Sequence, residues 1–373
     1  MSGRVRFDRG PIPGGTLFEA PQTVIRADTP AGVGPALAAM QAAQARGCWL
    51  AGYLSYELGF ALDPRLFALM PARREMPLIL MGVFDGPRPA PPLPAPGGSI
   101  TAPRPLWDRA RYDAAIAAVH AYIEAGDTYQ INLTFPMEAD CAGDPLALYA
   151  ALAARQPVGE GALVDLGGPV VLSRSPELFF AVDAAGRIET RPMKGTAPRG
   201  SGRADAEAAR ALARSDKNRA ENLMIVDLLR NDISRICHPG SVHVPSLFAI
   251  ESYATVHQMV STVAGQLRPG VGLAQILGAL FPCGSITGAP KIRAMEIIAE
   301  LEDAPREVYC GAIGWVDPAG PMRFSVAIRS PWMTREGRLR LNVGGGIVHD
   351  SRAGSEWEEA LCKAAYLDLT PPT

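Results

Sequence analysis

Glu356, Glu359 and Lys363 recur at i, i+3 and i+7, a spacing that places three ionisable side chains on one face of a helix. Two uses fit that face: a solvated surface with Glu-to-Lys pairing, or a set of oxygen donors turned toward a ligand. Trp357, Leu361 and the neighbouring alanines supply an apolar opposite face, and the run Val343-Gly344-Gly345-Gly346-Ile347 lies just upstream. Successive glycines let backbone approach a ligand closely and offer amide donors to an anion, and they serve equally in a turn or bulge. A second stripe, Lys217, Glu221, Met224 and Leu228, leads into the charged string Asp227-Leu228-Leu229-Arg230-Asn231-Asp232. Carboxylates from two helices suit a hard cation such as magnesium, so Glu221 and Glu359 are chemically competent ligands whose proximity the spacing leaves open.

Other segments carry chemistry less directly. Gly284 to Lys291 (GSITGAPK) opens a helix, with Thr287 or Gly288 near the cap and Pro290 in the first turn, and helix N-termini attract carboxylates and phosphates. Its lysine does not sit between a glycine and Ser or Thr, so it is not a nucleotide phosphate loop. His257 is a single histidine in an apolar stretch, and Lys194 follows Pro192 and precedes Gly195 on a constrained turn. A hydrolase elbow with Ser, His and Asp is not visible.

The elements that must position these residues follow from periodicity. Residues 35–46 read as an Ala-rich helix ended by Gly47, and 48–56 as an apolar strand. A segment rich in Pro, Gly and Ala at 86–105 reads as a linker after an N-terminal unit, residues 1–85. Asp108 can cap a helix whose apolar positions Tyr112, Ile116, Val119 and Ile123 keep helical spacing until Gly126. The period then changes to two: Tyr129, Ile131, Leu133 and Phe135 alternate with Gln130, Asn132 and Thr134, a half-buried strand with a polar face. Strands are expected at 170–172, 178–182, 308–316, 324–330 and 339–343, and helices at 203–237 (broken once), 289–302 and 355–367. Runs of strands without a regular strand-helix alternation favour an α+β fold.

Composition bounds the functions available. The chain of 373 residues, 48% of them apolar, is long enough to bury a sizeable core, and 36 basic against 38 acidic residues leave a net charge of −2. That balance argues against a nucleic-acid partner. No apolar run approaches the roughly 20 residues that cross a bilayer, so no membrane partner is expected. The six cysteines are scattered without metal-binding spacing and read as reduced thiols of a cytoplasmic protein.

Taken in chain order, Gly126 to Leu133, Ser173 to Glu177, Arg191 to Thr196, Arg219 to Asn222 with Val226 to Asp232, Gly284 to Lys291, and Gly344 to Lys363 resemble the chorismate-utilising enzymes, over roughly residues 108–367. The resemblance implies a chorismate-binding catalytic domain at 106–370, with a large layered β-sandwich-like core flanked by helices. It also implies a cleft for chorismate and a Mg2+ ion that bridges the ring carboxylate to the protein. On the family pattern Glu221 and Glu359 correspond to metal ligands, with Glu356 near them through water. Glu177 corresponds to a general acid. Ser285, Tyr309, Arg329 and the amides of Gly344 and Gly346 correspond to groups around the carboxylates and the enolpyruvyl unit. Lys363 belongs to the same anionic site, and His257 matches a histidine near the ring carboxylate.

Two positions choose among members. Those that add water at C2 carry a lysine on the first strand, where this chain has Gln130, as ammonia-using members do. In the Pro192-Met193-Lys194-Gly195-Thr196 segment, members that aminate C2 usually have alanine and members that aminate C4 have lysine. The resemblance therefore implies amination at C4, for 4-aminobenzoate and folate synthesis: the Lys194 amine attacks C2 as the C4 hydroxyl leaves, then ammonia enters C4 and expels the lysine. Gly52 to Glu57 is similar to the pattern of the same members. None of the six cysteines lies in a nucleophile turn with a paired histidine, so the expected ammonia source is a separate glutamine amidotransferase subunit in a heterodimer. A member that makes anthranilate, and a silent subunit that binds chorismate or tryptophan, are the alternatives.

Overall fold

The computed structural model describes residues 3–253, 256–334 and 336–370. Among them two large antiparallel sheets stack face to face, one of eleven strands and one of ten. The spine of the first is the pair Gln130–Ala142 and Arg338–Ile347, in register from Asp140 opposite Arg338 to Ile131 opposite Ile347. The second runs from the edge strand Met193–Pro198 through Val256–Gln266, Leu178–Val182, Ala312–Val316, Trp49–Leu54 and Ile79–Phe84 to Thr23–Ala27.

Three apolar clusters hold these layers. Val5, Phe18, Val164 and Trp332 of the first sheet meet Tyr53, Leu80, Ile313 and Trp315 of the second, which fills the space between the sheets. Helices Arg109–Glu124, Lys291–Leu301 and Ala353–Ala364 cover the outer face of the first sheet. Helices Pro30–Ala45, Asp216–Ser234 and Leu273–Leu280 cover that of the second. The α+β, helix-flanked sandwich expected from the sequence is the observed architecture.

Local signals explain most elements. Asp108 caps its helix by accepting from the Arg111 amide, and Asp216–Ser234 follows Gly202–Arg214 after a break at Ser215, whose hydroxyl accepts from the Asn218 amide. Four expectations need correction. The division at 86–105 does not follow the packing: Trp49–Leu54 pairs with Ala312–Val316 and Arg4–Phe7 with Glu160–Asp165, so the first 85 residues lie inside both sheets. The polar face of the Gln130 strand is buried rather than solvated, with Gln130, Asn132 and Thr134 all at 6% exposure or less, and Tyr129 is the exposed residue. Gly288–Ala289 pairs with that strand instead of starting the helix, which is capped at Pro290. The strands expected to span 308–316 and 324–330 are shorter, because Cys310 (φ 62°) and Arg329 (φ 49°) turn the backbone out of the extended region.

Candidate active site

A cavity of about 520 Å³ opens between the two sheets' edges and the helices Asp216–Ser234 and Ala353–Ala364. Its size suits a small-molecule ligand. Of the twelve residues singled out from the sequence, Glu177, Lys194, Glu221, Ser285, Tyr309, Arg329, Gly344, Gly346, Glu356, Glu359 and Lys363 all line it.

Glu177 sits in the bend between Val170–Ser175 and Leu178–Val182. Its backbone is fixed there: the Glu177 amide donates to Ser175 Oγ (3.2 Å) and its carbonyl accepts from the Val326 amide (3.0 Å). Ser285 Oγ donates to Glu177 Oε1 at 2.8 Å. Burial pushes the Glu177 carboxyl up to about 7, against the opposing effects of the Ser285 hydrogen bond and of the Lys194 and Arg329 charges. A carboxylic acid poised near neutrality can donate a proton.

Lys194 lies on the edge strand Met193–Pro198, at an irregularity in the pairing with Val256–Gln266 between Met193 and Thr196. Gly195 absorbs the kink at φ +95°, packed against the Asn218 side chain. A bulge re-aims the residue it contains, and here it turns Lys194 into the cavity. Burial lowers the affinity of the amine for its proton, while Glu177 and Glu221 oppose that shift. A Cβ built on Gly346 would lie 3.3 Å from Lys194 Nζ and 2.7 Å from Gln130 Nε2, so this glycine keeps the space beside the amine clear.

Three carboxylates reach the cavity from two helices. Glu221 comes from Asp216–Ser234, and its carboxyl is raised by burial first and by Glu356 and Glu359 in addition, with Lys194 and Lys217 acting the other way. Glu356 accepts from Ser351 Oγ at 2.7 Å. Glu359 pairs with Lys363 Nζ at 2.8 Å, and that amine also donates to the Gly344 carbonyl at 2.8 Å. Among the described residues no three carboxylate, His or Cys side chains stand close enough to form a ready-made metal cage. The donor chemistry still fits a hard cation: three mutually repelling carboxylates face one space, and hard oxygen-binding ions complete their shell with water and ligand oxygens.

His257 is the exception. It is 2% exposed and does not line the cavity; Nδ1 meets Ser252 Oγ at 2.8 Å and Nε2 meets Asp205 Oδ1 at 2.9 Å. Register places Gln258 opposite Thr196, and its amide donates to Thr196 Oγ at 3.1 Å. Side chains alternate along a strand, so with Gln258 at the cavity His257 points away, toward Asp205 of the helix Gly202–Arg214. Sequence reasoning missed Asn132, Lys217, Asn218 and Gln258 as cavity residues. Asn132 was signalled by the polar face of its strand and Lys217 by its stripe with Glu221; Asn218 and Gln258 carried no signal.

Fold and cavity together define an anion-accepting, acid- and amine-bearing site in a two-sheet, helix-covered frame. The chain belongs to the chorismate binding enzyme family, whose model matches residues 16–367. It is 46% identical over 280 residues to an aminodeoxychorismate synthase of Streptomyces griseus, covering 74% of this chain and 39% of that protein. It is 44% identical to aminodeoxychorismate synthase component 1 of Salmonella typhimurium, covering 68% and 56%, and 40% identical to anthranilate synthase component 1 of Aeropyrum pernix, covering 74% and 64%. The chain thus spans from about two fifths to under two thirds of these relatives. Among solved structures, anthranilate synthase component I from Streptococcus pneumoniae superposes with a TM-score of 0.82 at 25% identity, over 95% of this chain and 92% of that one.

Proposed function

We propose that this chain is the chorismate-aminating component of an aminodeoxychorismate synthase, forming 4-amino-4-deoxychorismate from chorismate and ammonia through a covalent intermediate on Lys194. The observation that carries the reading is the placement of a desolvated lysine amine in the same cavity as a carboxylic acid raised to about 7. Attack at C2 of a ring that must lose its C4 hydroxyl needs a neutral amine and a proton for the departing oxygen, which leaves as water. Lys194 and Glu177 can supply the two. In the second step ammonia bonds to C4, the double bond shifts back, and the C2–Nζ bond breaks. Arg329, Tyr309 and Lys363 have the charge and donors to hold carboxylates, and Ser285 orients the acid.

Glu221, Glu356 and Glu359 would hold a magnesium ion, which when bound neutralises the ring carboxylate and orients it. Chorismate is a dianion, so the cation also offsets the repulsion between its carboxylate and these three side chains. A glutamine amidotransferase subunit is the proposed ammonia source, and the cytoplasm the proposed compartment; no helix among the described residues is long and apolar enough to cross a membrane.

A second reading, an anthranilate synthase component I, is supported by the similarity of 40% to a protein of that name. Lys194 decides between them, because direct amination at C2 needs the space that its amine approaches. The test is mass spectrometry of the protein incubated with chorismate and magnesium without ammonium. An adduct of chorismate less one water on Lys194, absent from Lys194→Ala, is expected. Anthranilate formed with native turnover by Lys194→Ala would refute the covalent role and favour the second reading.

A further inference from the structure

We propose that Arg306, which the cavity does not touch, is a positioning residue for the reaction: it clamps the backbone of three wall segments and thereby holds Ser285 against Glu177. This rests on the reading of Glu177 as the acid. Arg306 is 1% exposed and stacks on Tyr56, with the guanidinium carbon 4.6 Å from the ring centroid. Its guanidinium donates to the carbonyl of Asn132 (2.6 Å) and to the carbonyl of Ile286 (3.1 Å), both cavity residues. Two further donors form a fork on Glu302 (2.8 and 2.7 Å). Glu302 in turn accepts from the Thr134 amide (2.8 Å) and hydroxyl (3.0 Å). The Arg306 carbonyl accepts from the Tyr309 amide (3.0 Å), and its own amide donates to Glu57 Oε1 (2.7 Å).

The side chain therefore joins the strand under the cavity to the turn Gly284–Ile286 that carries Ser285, from a backbone position whose own carbonyl holds the Tyr309 amide. It makes four hydrogen bonds, to two carbonyls and both oxygens of a carboxylate; a planar fork with five donors can make them at once, and an ammonium with three cannot. Ile286 directly follows Ser285, so its carbonyl fixes the backbone one residue from the hydroxyl that bonds Glu177. Releasing it lets the Ser285–Glu177 contact open, and a misplacement of about 1 Å in such a site is worth on the order of 10²-fold in rate.

Glu177 is faced by Lys194 from the edge strand, by Arg329 from the turn after Met322–Val326, and by Cys283 and Ser285 from the Gly284–Ile286 turn. All four are retained in the variants Arg306→Lys and Arg306→Gln/Glu302→Gln; the second leaves no unpaired buried charge should the first fold poorly. Calorimetric titration with chorismate and magnesium counts folded sites, turnover with ammonium gives kcat per site, and difference infrared spectroscopy follows the Glu177 carboxyl band, identified by its loss in Glu177→Gln.

The expected result is a fall in kcat of about 100-fold in the double variant, less in Arg306→Lys, with chorismate affinity within threefold of native. The Glu177 midpoint should rise, because the Ser285 bond that favours its ionised form is lost. Ser285→Ala should raise the midpoint as well, and adding the Arg306 change to it should add nothing. A native midpoint in both Arg306 variants, or a rise that adds to that of Ser285→Ala, overturns the proposal. Native turnover in Glu177→Gln would sink the acid reading alone, since the carboxyl titration still reports the clamp.

Discussion

Three adjacent glycines in the cavity floor should respond differently to one added methyl group. Gly344, Gly345 and Gly346 occupy the strand Arg338–Ile347, opposite Thr134, Leu133 and Asn132. A Cβ on Gly344 would lie 2.0 Å from the Leu133 carbonyl oxygen and 2.8 Å from Thr134 Cα, both backbone atoms of the spine strand. Neither can yield without parting the two spine strands of the first sheet, so Gly344→Ala should cost at least the usual 1–3 kcal/mol of overpacking, with about 3 kcal/mol the working figure. With an unfolding entropy of about 2.1 cal/mol/K per residue, 373 residues give roughly 0.8 kcal/mol per kelvin, so the melting temperature should fall by about 4 °C. On Gly346 the new atom meets the Gln130 amide at 2.7 Å and Lys194 Nζ at 3.3 Å, side-chain ends that can move. Gly346→Ala should therefore melt within about 2 °C of native and lose turnover on the order of tenfold or more, because the displaced group is the proposed nucleophile. On Gly345 the nearest atoms are Glu356 Oε2 at 3.2 Å and Lys363 Nζ at 3.6 Å, so Gly345→Ala should fall between in activity and match native stability. Thermal melts paired with steady-state turnover separate these outcomes. A Gly344→Ala protein as stable as native, or a Gly346→Ala protein with native turnover, would refute the reasoning from the cavity floor.

Two further perturbations test groups outside the cavity. Glu57 is buried and accepts from the Arg306 and Glu307 amides, and burial first and Glu307 second push its carboxyl from 4.5 up to about 8. A raised acid favours folding when protonated, so this contribution is complete below about pH 4.5 and is lost as pH rises through about 8. Glu57→Gln, which keeps an oxygen acceptor, should shrink the loss of urea stability between pH 5 and pH 9; an unchanged pH slope would show that Glu57 titrates normally. His257→Ala should lower stability by about 1–3 kcal/mol through its broken contacts with Ser252 and Asp205, with kcat and KM within twofold of native. A collapse of turnover in folded His257→Ala would place the histidine back in the reaction.

How much of this was legible in the chain depended on how local each determinant is. The helix Arg109–Glu124 was readable because its cap and its apolar stripe lie within one continuous stretch. The strand Arg338–Ile347 was readable at its apolar end and lengthened by glycines, which carry no periodic signal. The union of Trp49–Leu54 with Ala312–Val316 was not readable, since it joins distant parts of the chain and leaves no mark on either beyond apolar residues suited to any buried strand. Lys194, Glu177 and the three glutamates were visible as residue types within motifs, and the fold brought them together. His257, named from the family resemblance, does not line the cavity, whereas its neighbour Gln258 does. A strand has period two, so adjacent residues face opposite sides, and the irregular pairing between Met193 and Thr196 leaves the side that faces the cavity unmarked in the sequence.

What no motif could show is how Lys194 and Glu177 share their protons. Burial acts on both toward the uncharged form, lowering the amine and raising the acid, whereas their mutual attraction acts toward the ion pair. The chemistry proposed for them needs the uncharged pair, a free amine and a protonated carboxyl, which carries the same number of protons as the ion pair. Moving between the two forms changes no net proton count, and each group's titration feels the charge of the other. Water in the cavity favours the charged form. Under the proposed function, a bound ring that displaced that water would strengthen desolvation on both groups and favour the uncharged forms, provided the cation offsets the ring's own carboxylates.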